Sequence, residues 1–185
     1  MTNKQLVLFE DLGNLSYQSA WDYQTVVHKA LVDNKLSRRS EPGGSYPQAH
    51  RLILVEHPPV YTLGKSGSMD NLLLTEQDLN ERGIEFFPIN RGGDITFHGP
   101  GQVVGYPILD LECFFTDVHR YVRNLEEVII RTLAEYGIEG GRIEGYTGVW
   151  LNGTQQLPAS HPDAHKNRKI CAIGVHLSRW TTLHG

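Results

Sequence analysis

The stretch that decides how this chain is interpreted is Arg91–Pro107, which reads RGGDITFHGPGQVVGYP. Its two adjacent glycines, after a predicted strand, would let another molecule come close to backbone N–H groups. Gly99-Pro100-Gly101 predicts a rigid turn between strands at 94–97 and 103–107. These features are typical of a pocket wall. A glycine-rich hairpin in which His98 merely donates to a carbonyl is the alternative interpretation.

The composition around this stretch is that of a globular protein. The 185 residues are 39% apolar and 21% charged, which predicts one domain with a sizeable core. A net charge of −4 argues against nucleic acid or an anionic membrane as the main partner. The apolar run Leu6–Phe9 is too short for a signal peptide or a membrane span, so a cytoplasmic protein is expected.

Hydrophobic periodicity predicts helices and strands on both sides of the stretch. Helices are predicted at about 16–34 with Ser16 as the cap, at 76–82 between a Thr75–Asp78 capping box and Gly83, and from 116 or 117 to Tyr136. Strands are predicted at 52–55, 60–63, 85–89, 149–151 and 170–175, with loops at 37–47 and 152–168. Such an order favours an α/β (α+β) class with a mixed sheet and packed helices.

Motifs for nucleotide and metal binding are incomplete. Gly64-Lys65-Ser66 resembles the end of a P-loop, but the required first glycine is replaced by Pro59. His161 and His165 have a spacing that suits a metal only on a helix, and Pro162 between them argues against a helix. No metal site is predicted.

Several longer motifs occur in a specific order. They are Glu56–Gly64 (EHPPVYTLG), Arg91–Leu111, Tyr146–Trp150 (YTGVW) and Arg168–Val175 (RKICAIGV). Over almost the whole chain this order resembles the octanoyltransferases of lipoate synthesis, also called lipoate-protein ligase B. The resemblance implies that residues 1–185 form one catalytic domain with the fold of biotin- and lipoate-protein ligases.

The activity implied by the resemblance is thioester exchange. A cysteine thiolate would take the octanoyl group from octanoyl-acyl carrier protein, and a lysine of a lipoyl domain would then attack the acyl-enzyme. The acceptors would be lipoyl domains of 2-oxoacid dehydrogenases and the H protein of glycine cleavage. Because a thioester is already activated, neither ATP nor another cofactor is expected.

The resemblance also assigns roles to particular residues. Lys169 would tune the ionisation of the nucleophilic cysteine, whereas without the resemblance it reads as a lysine that keeps a sheet edge soluble. The side chains of Ile95, Phe97 and Ile173 would line an apolar slot for the acyl chain, or else be ordinary core residues. The octanoyl-binding residues would be Arg91, Gly92, Gly93, Asp94, Ile95, Thr96, Phe97, His98, Ala172, Ile173, Gly174 and Gly185.

The sequence departs from the family at the nucleophile. The family's cysteine lies in a Pro-Cys-Gly segment that would follow Gly185, so we expect this chain to lack the C-terminal segment and to be inactive alone. Cys171 would share a strand face with Lys169, but a packing role is favoured over catalysis. Cys113, beside Phe114, is expected to be buried. An ATP-dependent lipoate or biotin ligase, or a non-catalytic binder of acylated carrier or lipoyl domains, is the competing interpretation.

Overall fold

The computed structural model describes residues 5–41, 49–151, 161–162 and 166–185, and it divides into two compact units. The first unit comprises Met1–Thr116 and Gly174–Gly185, and the second is Asp117–Ile173. In chain order the elements are β1 (Val7–Asn14), α1 (Tyr17–Ser40), β2 (His50–Glu56), β3 (Val60–Leu63), α2 (Glu76–Arg82), β4 (Glu85–Pro88), β5 (Ile95–His98), β6 (Val104–Ile108), α3 (Val118–Glu135), β7 (Val149–Leu151), β8 (Arg168–Cys171), β9 (His176–Ser178) and β10 (Thr181–Leu183).

The first unit contains three small sheets. One has the order β1-β2-β6, with β1 parallel and β6 antiparallel to β2. Another has the order β4-β3-β5, again with one parallel and one antiparallel pair. The third is the antiparallel pair β9 and β10. Parallel and antiparallel pairing together with packed helices confirms the predicted mixed α/β class.

Helix α1 lies against the first sheet. Ala20 and Leu31 on the helix pack with Ile53 of β2 and Ile108 of β6 in the main core. The predicted helix end near residue 34 is wrong, because α1 continues through Ser40.

Tertiary ion pairs explain the extra turn of α1. Lys35 is 2% exposed, and its Nζ lies 2.9 Å from Asp110 Oδ1. Arg39 pairs with Glu112 at 2.7 Å. Asp110 and Glu112 lie far along the chain from residue 37, so the sequence around residue 37 gives no sign of this stabilisation.

The turn at Gly99-Pro100-Gly101 joins two sheets and is not a hairpin turn. The strand before it, β5, pairs with β3, whereas the strand after it, β6, pairs with β2. The predicted strands are therefore confirmed within a residue or so at their ends, and the hairpin interpretation is wrong.

The short helix α2 agrees with its prediction in detail. The Thr75 hydroxyl accepts from the Asp78 N–H, the Asp78 carboxylate accepts from the Thr75 N–H, and Gly83 ends the helix in the left-handed conformation. Each contact joins residues that are close in sequence, and such contacts can be predicted from the sequence alone.

The second unit consists of α3 and the antiparallel pair β7 and β8. Asp117 caps α3 by accepting from the Arg120 N–H at 2.9 Å, and the helix begins at Val118, next to the predicted start at 116 or 117. Strand β8 covers 168–171 where 170–175 was predicted. The predicted loop over 152–168 falls largely outside the described residues. None of the helices in the described ranges is long and apolar enough to cross a membrane.

Candidate functional site

Arg91 is the centre of the site in the first unit. It is 6% exposed, and its Nη2 donates to the Thr62 carbonyl at 2.7 Å and to the Thr62 hydroxyl at 2.9 Å. Its Nη1 donates to the Gly92 carbonyl at 3.0 Å. Burial lowers the pKa of Arg91, although a guanidinium stays charged in proteins. The hydrogen bonds of this cation go to neutral oxygens, and the charge of the nearby Asp94 carboxylate acts on it in the opposite direction to burial, raising its pKa.

Backbone packed closely around Arg91 shapes this region. The Gly92 N–H donates to the Val175 carbonyl at 3.0 Å, so it already has a partner, contrary to the expectation of a bare N–H. A Cβ on Gly174 would lie 2.8 Å from the Gly92 carbonyl and 3.0 Å from Arg91 Cδ. Gly174 in turn donates to the Gly185 carbonyl at 3.0 Å. Four predicted binding residues, Arg91, Gly92, Gly174 and Gly185, are thus brought together in one unit.

Asp94 has a local structural role. Its Oδ1 accepts from the Ser68 N–H at 3.3 Å, and its Oδ2 accepts from the Asn71 amide at 2.6 Å. The carboxylate therefore fastens the loop that follows β3.

Strand β5 divides the remaining predicted residues between two faces. Thr96 and His98 lie on the same face, and Ile95 and Phe97 lie on the other, as strand alternation requires. Phe97 is 42% exposed and lies beside Tyr61, with ring centroids 5.0 Å apart. The side chains of Ile95 and Phe97 are therefore on the opposite face from His98.

The His98 face carries a cluster of rings. His98 stacks on Tyr17 at 6.4 Å with an interplanar angle of 8°, and His57 lies 5.9 Å from His98. His98 Nδ1 contacts the Gln102 amide oxygen, which only accepts, so Nδ1 carries the proton and Nε2 is left as an acceptor. Burial lowers the pKa of His98 and raises that of Tyr17. Both rings are neutral near pH 7.

His57 and Tyr106 form a buried relay of hydrogen bonds. His57 Nδ1 lies 2.8 Å from the Leu15 carbonyl, so it must donate, and the Tyr106 hydroxyl then donates to Nε2 at 2.8 Å. Burial lowers the pKa of His57 and raises that of Tyr106. This arrangement holds one tautomer of a neutral imidazole against the ring cluster.

His184 completes the site in the first unit. It is 2% exposed, its ring lies 6.0 Å from Trp21, and Nδ1 has no hydrogen-bond partner in the described part of the chain. Burial lowers its pKa to about 4, and the positive charges of His176 and Arg91 lower it further in the same direction. A neutral imidazole with an unpartnered nitrogen is suited to meet a polar ligand.

Lys169 lies in the second unit on β8. It is exposed, and its Nζ lies 4.6 Å from the centroid of the Trp150 ring. Tyr146 packs edge-on against the same ring at 5.8 Å. Of the other predicted residues, Ala172 and Ile173 follow β8 in this unit. The ammonium is thus held by an aromatic face and remains accessible to water.

Neither cysteine has the surroundings of a nucleophile. Burial raises the pKa of Cys171, and the opposing effect of Lys169 is smaller. Its Sγ lies 3.6 Å from the Ala172 carbonyl. Cys113 Sγ lies 3.6 Å from the Asp110 carboxylate, which disfavours a thiolate. No group of three or more ligand side chains suited to a metal occurs within the described ranges.

Sequence reasoning missed several residues of this site. Tyr17 and His184 were not predicted to be site residues, and His57 was included only as part of the Glu56–Gly64 motif. Tyr17 and His57 each place a polar atom in an otherwise apolar pattern. Because buried polar groups need partners, this was a signal that could have identified them. His184 gave no such signal.

Comparison with known proteins shows the family of this chain. The model of the lipoyl protein ligase A/B catalytic domain matches residues 16–185, so the chain belongs to this family. A curated relative named octanoyltransferase, from Flavobacterium johnsoniae, is 57% identical over 99% of this chain and 74% of its own length. Another of the same name, from Cytophaga hutchinsonii, is 52% identical over 100% of this chain and 72% of its own length.

Solved structures give the same fold. A bipartite lipoate protein ligase from Thermoplasma acidophilum matches 95% of this chain and 58% of its own with a TM-score of 0.59. A lipoate-protein ligase A bound with ATP matches 96% of this chain and 63% of its own with a TM-score of 0.53. Both are 14% identical to this chain, which supports the expected ligase-like fold and nothing finer.

Proposed function

We propose that this chain is the catalytic domain of an octanoyltransferase of lipoate synthesis. It takes octanoyl groups from acyl carrier protein and delivers them to a lysine of lipoyl domains in the cytoplasm. The observation that carries the proposal is that curated relatives 46% to 57% identical over nearly the whole chain are named octanoyltransferase. The buried cation and the neutral imidazoles around Arg91 supply chemistry that fits an acyl thioester.

The acyl thioester is placed on the His98 face of β5. Arg91 presents a positive charge whose hydrogen-bond partners are neutral, and such a charge stabilises the oxyanion formed when a thioester is attacked. His98 Nε2 is an acceptor for a substrate proton, and His184 Nδ1 is an unpartnered nitrogen, both in a region of low dielectric. Ile95 and Phe97 contribute through their backbone, because their side chains lie on the other face.

The proposed reaction has two steps. A cysteine thiolate attacks the octanoyl carbonyl, a thioester bond to the enzyme forms, and the carrier leaves as its thiolate. The amine of the target lysine then attacks the enzyme thioester, an amide forms, and the enzyme thiolate is released while the amine loses a proton. Cys171 and Cys113 are not assigned as the nucleophile, because their surroundings favour the thiol.

Lys169 is assigned to tuning the thiolate. An ammonium beside a thiolate lowers the free energy of that thiolate, and its protons can be exchanged with the reacting amine. The resemblance assigns octanoyl binding to Arg91, Gly174 and Gly185 in the first unit. It assigns the same role to Ala172 and Ile173, which follow Lys169 in the second unit. The carrier and the lipoyl domain are the protein partners.

The test uses protein expressed from its complete reading frame. It is incubated with octanoyl-carrier protein and a lipoyl domain without ATP, and the intact mass of the lipoyl domain is measured. Octanoylation that Arg91→Met abolishes and Arg39→Met leaves intact supports the proposal. Adenylate formation from octanoate and ATP would instead assign an ATP-dependent ligase. Binding of octanoyl carrier with no acyl transfer would assign a non-catalytic binder, and either result overturns the proposal.

A further inference from the structure

Glu126 is a fully buried carboxylate on α3. It is 0% exposed, and its Oε2 accepts from Arg123 Nη1 at 2.7 Å and from Arg142 Nε at 2.9 Å. Its other oxygen, Oε1, accepts from the backbone N–H of Gly148 at 2.9 Å. Burial by itself raises the pKa of Glu126, but these hydrogen bonds outweigh it, and the pKa lies below its ordinary value. Glu126 is therefore ionised and bonded through both oxygens.

Gly148, the backbone partner of Glu126, lies directly against strand β8. A Cβ at Gly148 would overlap the Cys171 carbonyl and lie 3.4 Å from Lys169 Cε. Gly148 also has a φ of +114°, which only glycine adopts without strain. The bond from Glu126 thus holds a segment of backbone against the strand that carries Lys169.

The same segment continues into Trp150, which supports the Lys169 ammonium. Trp150 is paired with Lys169 in the register of β7 and β8, with an irregularity between Val149 and Trp150. The Nζ of Lys169 lies 4.6 Å from the Trp150 ring. A shift of Gly148 would move the backbone that runs beside Lys169 Cε and the Trp150 ring that follows it under Nζ.

We propose that Glu126 is a positioning residue for Lys169. Its Oε1 fixes Gly148, and Gly148 and Trp150 together fix the path of the Lys169 side chain. Arg123 and Arg142 hold the carboxylate in place and compensate its charge. The importance of this positioning for octanoyl transfer rests on the proposed function, whereas the positioning itself does not.

Glu127 provides a matched comparison on the same helix. It also pairs with Arg142, at 2.9 Å, and it pairs with Arg131 at 2.9 Å. It is more exposed than Glu126, and its carboxylate accepts from Arg131 and Arg142 and not from the segment of Gly148. Removing Glu127 therefore changes charge on α3 without removing the anchor.

The experiment reads the position of Lys169 directly. Lysines of the whole protein are dimethylated with ¹³C, which preserves their charge, and their methyl resonances are recorded by NMR. Lys169→Arg assigns the Lys169 signal. Its position over the Trp150 ring predicts an upfield ring-current shift, which Trp150→Leu removes. The methyls of Lys29, an exposed lysine paired with Asp33, serve as the internal reference.

The expected result is that Glu126→Ala loses the upfield shift, whereas Glu127→Ala keeps it. Glu126→Gln retains an amide oxygen that accepts from Gly148, so it should restore much of the shift. Gly148→Ala should lose the shift, because the added methyl overlaps the Cys171 carbonyl. An unchanged Lys169 signal in folded Glu126→Ala, or in Gly148→Ala if the former does not fold, would overturn the proposal.

Kinetics separate this inference from the proposed function. In protein from the complete reading frame, Glu126→Ala should lower kcat for octanoyl transfer about 10-fold with little change in KM, since misplacing a reacting group slows the chemical step. Full activity in Lys169→Met would remove Lys169 from the reaction and leave the NMR result standing. A lost ring-current shift with full kcat would instead show positioning that octanoyl transfer does not need.

Discussion

Arg91 in the first unit and Glu126 in the second are both buried charges, 6% and 0% exposed, yet their partners differ in kind. The hydrogen bonds of Arg91 reach neutral oxygens of Thr62 and Gly92. Glu126 is held by Arg123, Arg142 and a backbone N–H. The charge of Arg91 has no anion among its hydrogen-bond partners and can therefore act on a bound substrate. The charge of Glu126 is balanced by its two guanidinium partners.

The difference has a physical consequence for each region. A buried cation whose hydrogen bonds go only to neutral oxygens disfavours further positive charge nearby, and the pKa of His184 is lowered first by burial and then by charges that include Arg91. A carboxylate bonded to two guanidinium groups and a backbone N–H can hold that backbone in place, and its remaining effect on Cys171 ranks after burial and Lys169 among the causes of that pKa shift. A ligand-binding region and a positioning region thus differ in how their buried charge is balanced.

The largest expected effect is on acid stability. His184 has a pKa of about 4 when folded and about 6.5 when unfolded, so below pH 6.5 the unfolded chain binds a proton that the folded chain does not. The free energy of unfolding therefore has its full value above pH 6.5, and it falls by about 3 kcal/mol as the pH drops to about 4. Urea unfolding at both ends of this window measures the loss.

His184→Asn is the matched variant, because asparagine does not titrate and tolerates the φ of +63° at this position. It should lose clearly less stability over the same window. The lowered pKa of Glu126 acts in the same direction, because the unfolded chain again binds the proton first, but its contribution to stability is lost only at a pH below the ordinary pKa of a glutamate. An identical acid loss in His184→Asn and the parent protein would contradict the assignment to His184.

The next effect tests the compensation of Glu126. Arg142→Met removes one of its two guanidinium partners and should lower the free energy of unfolding by about 2 kcal/mol, a value discounted because Arg142 is 35% exposed. Arg131→Met, which disrupts only the exposed pair with Glu127, should change stability little. Urea unfolding of both variants decides. Equal effects would show that Glu126 does not depend on charge compensation.

A smaller effect separates the two glycines beside Arg91. Gly93 has a φ of +89°, so Gly93→Ala should destabilise the fold by about 1 kcal/mol. At Gly92 a Cβ would lie 3.6 Å from the Val175 carbonyl, an ordinary contact, so Gly92→Ala should leave the melting temperature nearly unchanged. Thermal unfolding ranks the two. Greater destabilisation by Gly92→Ala would mean that space, not φ, limits this segment.

The smallest expected effect on stability is at Lys169. Lys169→Met loses an exposed cation–π contact worth about 0.5 kcal/mol, yet it should abolish octanoyl transfer. Lys169→Arg should also fail, because a guanidinium cannot release a proton to the reacting groups. Lys29→Met is the control for loss of one exposed lysine. Normal transfer in both Lys169 variants would remove Lys169 from the mechanism.

Local signals in the sequence predicted most elements. The Thr75–Asp78 capping box with Gly83, the start of α3 within two residues and the strand at 52–55 are all confirmed. The last turn of α1 was missed because Asp110 and Glu112 hold it from far along the chain. The hairpin at Gly99-Pro100-Gly101 was wrong because turn residues do not specify which sheet the next strand joins.

The sequence by itself determined the mixed α/β class, the resemblance to octanoyltransferases and the candidate segment Arg91–His98, because each depends on the order and type of residues along the chain. Only the tertiary structure decided the neutral partners of Arg91, the pairing of His57 with Tyr106 and the burial of Glu126 against Gly148. The physical reason is that desolvation and hydrogen bonding at these positions come from residues distant in sequence. The fold therefore decides that the Glu126 carboxylate has cationic partners and that the hydrogen bonds of Arg91 go to neutral oxygens.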